Sequence, residues 1–246
     1  MSVYDCQDPE QRRAGLDEAV DVLGRGGLAV IPTDTVYGIA SDAFDPAAVA
    51  ALLAAKGRGR QMPPPVLVGA ATALDGLATE VPKVVRDLVA RFWPGPLTIV
   101  CLAQPSLAWD LGETDGSVAL RMPDDETALE LLRRTGPLAV SSANRSGQPA
   151  ATTAAEAVGY FDDTVPVYLD AGESGGAVAS TIVDATAERL VVLRRGALAV
   201  EELAEIAPEL LPDVPEQDEQ TARDEQAAQS KRTDTEQPRD EGSGPA

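Results

Sequence analysis

Residues 28–57, LAVIPTDTVYGIASDAFDPAAVAALLAAKG, decide the fold class. LAVI is a short apolar run of the kind that makes a buried strand, and the preceding DEAVDVLGRGG (17–27) has helical spacing at Ala19, Val20 and Leu23 before it ends in glycines. DPAAVAALLAAKG carries Asp45 as N-cap, Pro46 at the first helical position and Gly57 as a stop, which puts Lys56 at a helix C-terminus. Working outward, VLVG, LTIVCL, SVALR, LAVSS, STIVD and RLVVLR read as further strands, with helices over 82–92, 124–135 and 153–160 between some of them. The alternation predicts an α/β chain around one mostly buried, mixed sheet.

The polar part of the opening stretch asks for more than a turn. Pro, Asp and Gly suffice to reverse a chain, yet Thr33, Asp34, Thr35 and Tyr37 crowd the end of a core strand, and that excess marks a candidate site. Similar groups recur at other strand ends: Arg121 closes SVALR, Ser141 and Ser142 close LAVSS, Ser180 opens STIVD and Arg194 closes RLVVLR. In open α/β sheets ligands bind at the carboxyl ends of strands, so these hydroxyls and guanidiniums are placed to hold an anion. Lys56, Arg58 and Arg60 add cations after a helix. Lysines occur only at 56, 83 and 231 among 20 cations, so Lys56 stands out. Taken singly, each has a plainer reading. A strand-end arginine is commonly a surface ion pair, SSANRSG a capped turn, and RFWPGPLT (91–98) a rigid connection with Trp93 packed on the core.

Composition removes whole function classes. There is no histidine, hence no Ser-His triad and no histidine metal site. No P-loop and no dinucleotide fingerprint is present, and no carboxylate cluster has metal-site spacing. No apolar run reaches membrane-spanning length and the N-terminus has no leader pattern, so a cytoplasmic protein is expected, with no membrane partner. Two cysteines make no disulfide framework, and Cys101 reads as an inert core thiol. The net charge is −20, which repels nucleic acid phosphates. The last 34 residues hold 10 acidic and 4 basic residues and almost no large apolar ones. The expected division is therefore a folded domain over 1–212 and an acidic disordered tail over 213–246. An enzyme of this composition works by positioning and electrostatics.

Taken in order, PTDTVYG, KGRGRQMPPPVLV, FWPGPLT, VALRMP, SSANRSGQPA, STIVD and VLRRGA resemble the successive motifs of YrdC-type threonylcarbamoyl-AMP synthases, in their short single-domain form, from residue 15 to about 200. The resemblance implies a twisted mixed sheet with flanking helices around a concave, basic cavity. It implies the activity that makes threonylcarbamoyl-AMP and pyrophosphate from L-threonine, bicarbonate and ATP, with Mg2+ carried by the ATP, for the threonylcarbamoyladenosine at position 37 of tRNAs. Carried over by motif, Lys56 and Arg58 face the nucleotide phosphates as the catalytic cations, with no protein metal ligand. Thr35, Arg121 and Ser180 bind threonine, Arg121 pairing with its carboxylate. Ser117, Ser142, Asn144 and Arg194 complete the ATP site. The hydroxyls of PTDTVYG would then line the mouth where threonine meets the nucleotide. A downstream tRNA threonylcarbamoyltransferase complex is the implied partner, and stable tRNA binding by this acidic chain is not expected. Gly69 stands where some relatives have a histidine, and the proline-rich loop leaves Arg60 without an assigned role. Two rivals belong to other classes: an enzyme handling a different carbamoyl- or acyl-adenylate, as a relative of this fold does in hydrogenase maturation, and a non-enzymatic RNA-binding module.

Overall fold

The structure, a computed structural model, describes residues 1–176 and 178–210. The boundary at 212 and the acidic segment beyond it lie outside the described residues. In chain order the elements are β1 (Ser2–Asp5), α1 (Pro9–Leu23), β2 (Ala29–Ile31), β3 (Gly38–Asp42), α2 (Pro46–Lys56), β4 (Val66–Leu67), α3 (Ala73–Leu77), α4 (Lys83–Phe92), β5 (Leu97–Leu102), β6 (Ser117–Arg121), α5 (Glu126–Thr135), β7 (Leu138–Ser142), α6 (Ala154–Phe161), β8 (Val167–Asp170), β9 (Thr181–Asp184), β10 (Val191–Arg194) and α7 (Val200–Ile206). The caps of α2 are those the sequence signals. Asp45 accepts hydrogen bonds from the Ala47 and Ala48 amides, and Gly57 stops the helix in the left-handed region at φ +66°. Helix α1 starts earlier than its apolar spacing suggests, because Asp8 caps it over the polar turn before residue 17.

The strands form one mixed sheet in the order β1-β8-β2-β3-β7-β4-β6-β5-β9-β10. Register and alternation sort its faces, since hydrogen-bonded neighbours share a face and successive residues alternate. One face carries Val30, Ile39, Ala139, Val66, Leu120, Ile99 and Val183. Helices α2 and α6 cover it over β8-β2-β3, and α3, α4 and α7 cover the rest. The opposite face is covered by α1 and α5 over β8, β2, β3 and β7, through Ala29, Ile31, Ala40, Val140 and Val167. Beyond β4 no helix of the described residues covers it. Val100, Leu102, Ser117, Ala119, Ile182 and Asp184 stay half-buried while their neighbours along the same strands are buried. The sheet thus has one half-open face, made by β6, β5, β9 and β10.

Cys6 and Cys101 are free and buried, and burial pushes both thiols up, to about 12 and about 11. Cys101 is therefore the inert core thiol its apolar run suggests. Trp93 is likewise in the core, its indole N–H donating to the Leu97 carbonyl at 2.8 Å. Among the described residues no helix is long and apolar enough to cross a membrane.

Candidate active site

Arg121, the last residue of β6, pairs in register with Leu67, and so its side chain belongs to the half-open face. It is 6% exposed, and three neighbours hold it. Its Nε donates to the Gly95 carbonyl at 3.0 Å, Nη1 to Thr35 Oγ1 at 2.9 Å and Nη2 to Asp34 Oδ1 at 2.6 Å. Burial pulls the guanidinium below its usual range, and the Asp34 charge opposes that pull. Asp34 Oδ1 also accepts the Asp124 amide at 3.0 Å, which ties the loop after β2 to the approach of α5. Thr33 Oγ1 lies 3.0 Å from Thr35 Oγ1 and donates to the Val36 carbonyl at 2.6 Å. The polar excess after β2 is thus a scaffold around one guanidinium. Tyr37 departs from the expectation that these hydroxyls line a mouth. It is fully buried, and its hydroxyl donates to the Gly172 carbonyl at 2.6 Å and accepts the Ala171 amide at 3.0 Å. Its work is to anchor the chain after β8.

A second group sits beside the first. Thr98 continues the β5–β6 register opposite Arg121, and its hydroxyl lies 2.8 Å from Ser180 Oγ. Arg194, closing β10, donates from Nε and Nη2 to the Ser180 carbonyl at 3.0 and 2.8 Å, and from Nη2 to Ser180 Oγ at 3.1 Å. Ser117 is on the same face but four residues back along β6, roughly 13 Å from Arg121 at strand spacing. Its hydroxyl donates to the Thr114 carbonyl at 2.7 Å. It therefore belongs to the far end of the open face.

Lys56, Arg58, Ser142 and Asn144 make a third group. Lys56, with no exposed surface, sends its ammonium to the Ser142 carbonyl, the Asn144 carbonyl at 2.7 Å and Asn144 Oδ1 at 3.0 Å. Burial and, secondarily, the Arg58 charge pull it down to about 7. The three oxygens act the other way, because a neutral amine would offer two N–H groups and aim its lone pair at the third. Ser142 Oγ donates to Asn144 Oδ1 at 2.6 Å, and Asn144 Nδ2 to the Gln148 carbonyl at 2.6 Å. Arg58 donates to Ser146 Oγ at 3.1 Å and Ser141 Oγ at 3.3 Å. Backbone bonds join this group to the first: Ala143 N to Tyr37 O at 2.7 Å, and Ser146 N to Lys56 O at 2.9 Å.

The carboxyl-edge expectation needs correcting. β4 runs parallel to β6 and antiparallel to β7, so Arg121 and Ser142 close strands of opposite direction. What unites Arg121, Ser117, Thr98, Ser180 and Arg194 is a sheet face, which a rule written for parallel sheets does not describe. Arg60 is half exposed and makes a bidentate pair with Asp110 at 3.0 and 2.8 Å, joining two loops. A Cβ at Gly69 would come 3.0 Å from the Arg133 amide and 3.1 Å from the Leu132 carbonyl carbon, so the end of α5 occupies the space a side chain there would need. A hollow of about 190 Å³ is lined by α2 residues with Arg58, Arg60 and Asp110, and one of about 290 Å³ by residues 103–116. Neither is lined by Thr35, Arg121 or Ser180. Among the described residues no group of three or more Asp, Glu, Cys or His could hold a metal ion. Sequence reasoning placed Asp34 in the polar excess without giving it a role, and it missed Gly95 and Thr98 as parts of the site. The carboxylate between two threonines and the PGP turn were the available signals.

A family model described as Sua5_yciO_yrdC, telomere recombination, matches residues 21–196. A Mycobacterium leprae protein, whose name assigns it provisionally as a threonylcarbamoyl-AMP synthase, is 54% identical over 204 residues, covering 83% of this chain and 93% of its own. The threonylcarbamoyl-AMP synthase of Pyrococcus abyssi is 36% identical over 193 residues, covering 78% of this chain and 57% of its own. The crystal structure of P. abyssi Sua5 complexed with L-threonine superposes with a TM-score of 0.80 at 32% identity, covering 87% of this chain and 63% of that one. This chain thus spans less than two thirds of that solved structure. On the match over 21–196 and these identities, the chain belongs to the Sua5/YciO/YrdC family.

Proposed function

We propose that this chain is an L-threonylcarbamoyl-AMP synthase. The observation that carries the reading is the Arg121 node. A guanidinium has five N–H donors, and Gly95, Thr35 and Asp34 take three, which leaves one on each terminal nitrogen for a substrate carboxylate. Thr35 beside it would orient the amino acid. The half-open face from Ala119 and Val100 to Ile182 offers an apolar bed for a base, with Ser180 and Arg194 at its edge, and Arg58 supplies cationic charge toward the phosphates.

In this scheme the neutral amine of threonine attacks the carbon of bicarbonate, forming the N–C bond of a carbamate with loss of water. A carbamate oxygen then attacks the α-phosphorus of ATP and pyrophosphate leaves. Both steps place negative charge among fixed cations and need no histidine. In this scheme magnesium belongs to the ATP substrate and keeps much of its water. The product would pass to a tRNA threonylcarbamoyltransferase. The test is product analysis with ATP, bicarbonate and each amino acid in turn. Threonine-dependent release of pyrophosphate with threonylcarbamoyl-AMP is the expected result. Pyrophosphate release with another amino acid, and not with threonine, would assign the chain to a different acyl-adenylate.

A further inference from the structure

We infer that Lys56 is a positioning residue: it sets the Ser142–Asn144 turn, and does not itself bind phosphate. This rests on the synthase reading, in which that turn belongs to the nucleotide site. An ammonium has three N–H donors and no others. Here the Ser142 carbonyl, the Asn144 carbonyl and Asn144 Oδ1 take all three, and the side chain has no exposed surface through which a phosphate could reach it. The turn in its turn depends on the lysine. Three oxygens converge on one point, and without a cation between them they would repel one another while buried. Asn144 Oδ1 is the pivot, since it also accepts the Ser142 hydroxyl at 2.6 Å, so the ammonium and that hydroxyl fix one another's geometry. The main chain closes the same loop from the other side, Ser146 N donating to Lys56 O at 2.9 Å. Arg58, two residues on, has the opposite character. It lies half-buried at the edge of this group, where its guanidinium donates to the hydroxyls of Ser141 and Ser146.

Two readouts test this, one needing no nucleotide. Amide hydrogen exchange over residues 143–148 should accelerate at least about tenfold in Lys56→Met, the factor expected when one net hydrogen bond is lost. Lys56→Gln keeps two donors without the charge and should recover part of that protection, whereas Lys83→Met should change nothing. Unaltered exchange in Lys56→Met would overturn the proposal, and it would do so whether or not the protein is a synthase. The second readout is calorimetric titration of adenosine, AMP and ATP into wild type, Lys56→Gln and Arg58→Gln. A positioning lysine lowers affinity for all three by a similar factor, while Arg58→Gln loses affinity in step with the number of phosphates. Losses for Lys56→Gln that grow from adenosine to ATP would make it a phosphate ligand and sink the assignment. Wild-type protein that binds no nucleotide but shows the exchange effect would instead overturn the synthase reading and leave the turn-setting role supported.

Discussion

At the scale of the residue, Arg121 is constrained by shape as much as by charge. A lysine at that position carries the same formal charge but cannot meet Gly95 O, Thr35 Oγ1 and Asp34 Oδ1 together, because those acceptors lie around a planar fork. Arg121→Lys should therefore raise the KM for threonine by about tenfold to a hundredfold, the scale of one or two charge-assisted hydrogen bonds. The affinity for ATP should change little, since in this reading Arg121 serves the threonine carboxylate while Arg58 and Arg194 serve the nucleotide. Steady-state kinetics with each substrate varied separately reads the difference, and a loss confined to the ATP side would mean the clamp serves the nucleotide. Thr35→Val, which keeps the shape and removes the hydroxyl, should move the threonine KM in the same direction by a smaller factor.

At the scale of the element, the site depends on segments that pass too close together for side chains. Gly196 donates its amide to Thr181 Oγ1 at 3.0 Å, and a Cβ there would lie 2.3 Å from both Ala179 O and the Ser180 carbonyl carbon. The exit of β10 can hold Arg194 against Ser180 only because residue 196 has no Cβ. Gly196→Ala must therefore push these segments apart, at about 1–3 kcal/mol for an overpacked contact, which lowers Tm by several degrees in a domain of this size. It should also impair turnover. Gly76→Ala, in α3 with nothing within 4 Å of the added carbon, should leave Tm unchanged or slightly higher. Equal effects from the two substitutions, measured by thermal unfolding, would show that close approach is not what the glycine provides. This dependence was beyond the reach of sequence reading, which placed VLRRGA as a motif but had no means of seeing a backbone contact across two strands. The helix caps were legible because their signal is local: Asp45, Pro46 and Gly57 act within one turn of the residues they cap.

At the scale of the whole molecule the same division holds. The strands rich in Val, Ile and Leu could be read directly. β1, β3 and β8 could not, because GIASD has one large apolar residue among four small or polar ones, and SVYD and VYLD are short, mixed runs stabilised by neighbours far away in sequence. The half-open face was equally invisible, since it exists only where the helices stop. Charge is the one global property that composition states in full, and it leads to a final prediction. The net charge of −20 opposes any polyanion, and the cations of the candidate site are few: Lys56 and Arg121 are buried and engaged, by the 142–144 turn and by Asp34, while Arg58 is half-buried and Arg194, exposed, holds Ser180. A tRNA would need several accessible phosphate contacts to bind even non-specifically, with counterion release as the driving force. Small anions can enter a local cationic site on such a surface, because screening confines the repulsion to about 8 Å at physiological ionic strength. An extended polyanion cannot avoid the rest of the surface. Fluorescence anisotropy with labelled tRNA at physiological salt should therefore show no saturable binding up to tens of micromolar protein, in a preparation that binds ATP normally. Submicromolar binding that weakens linearly as log salt rises would mean that basic groups gather on a surface the net charge conceals, and would favour direct delivery of the product to RNA over release to a separate transferase.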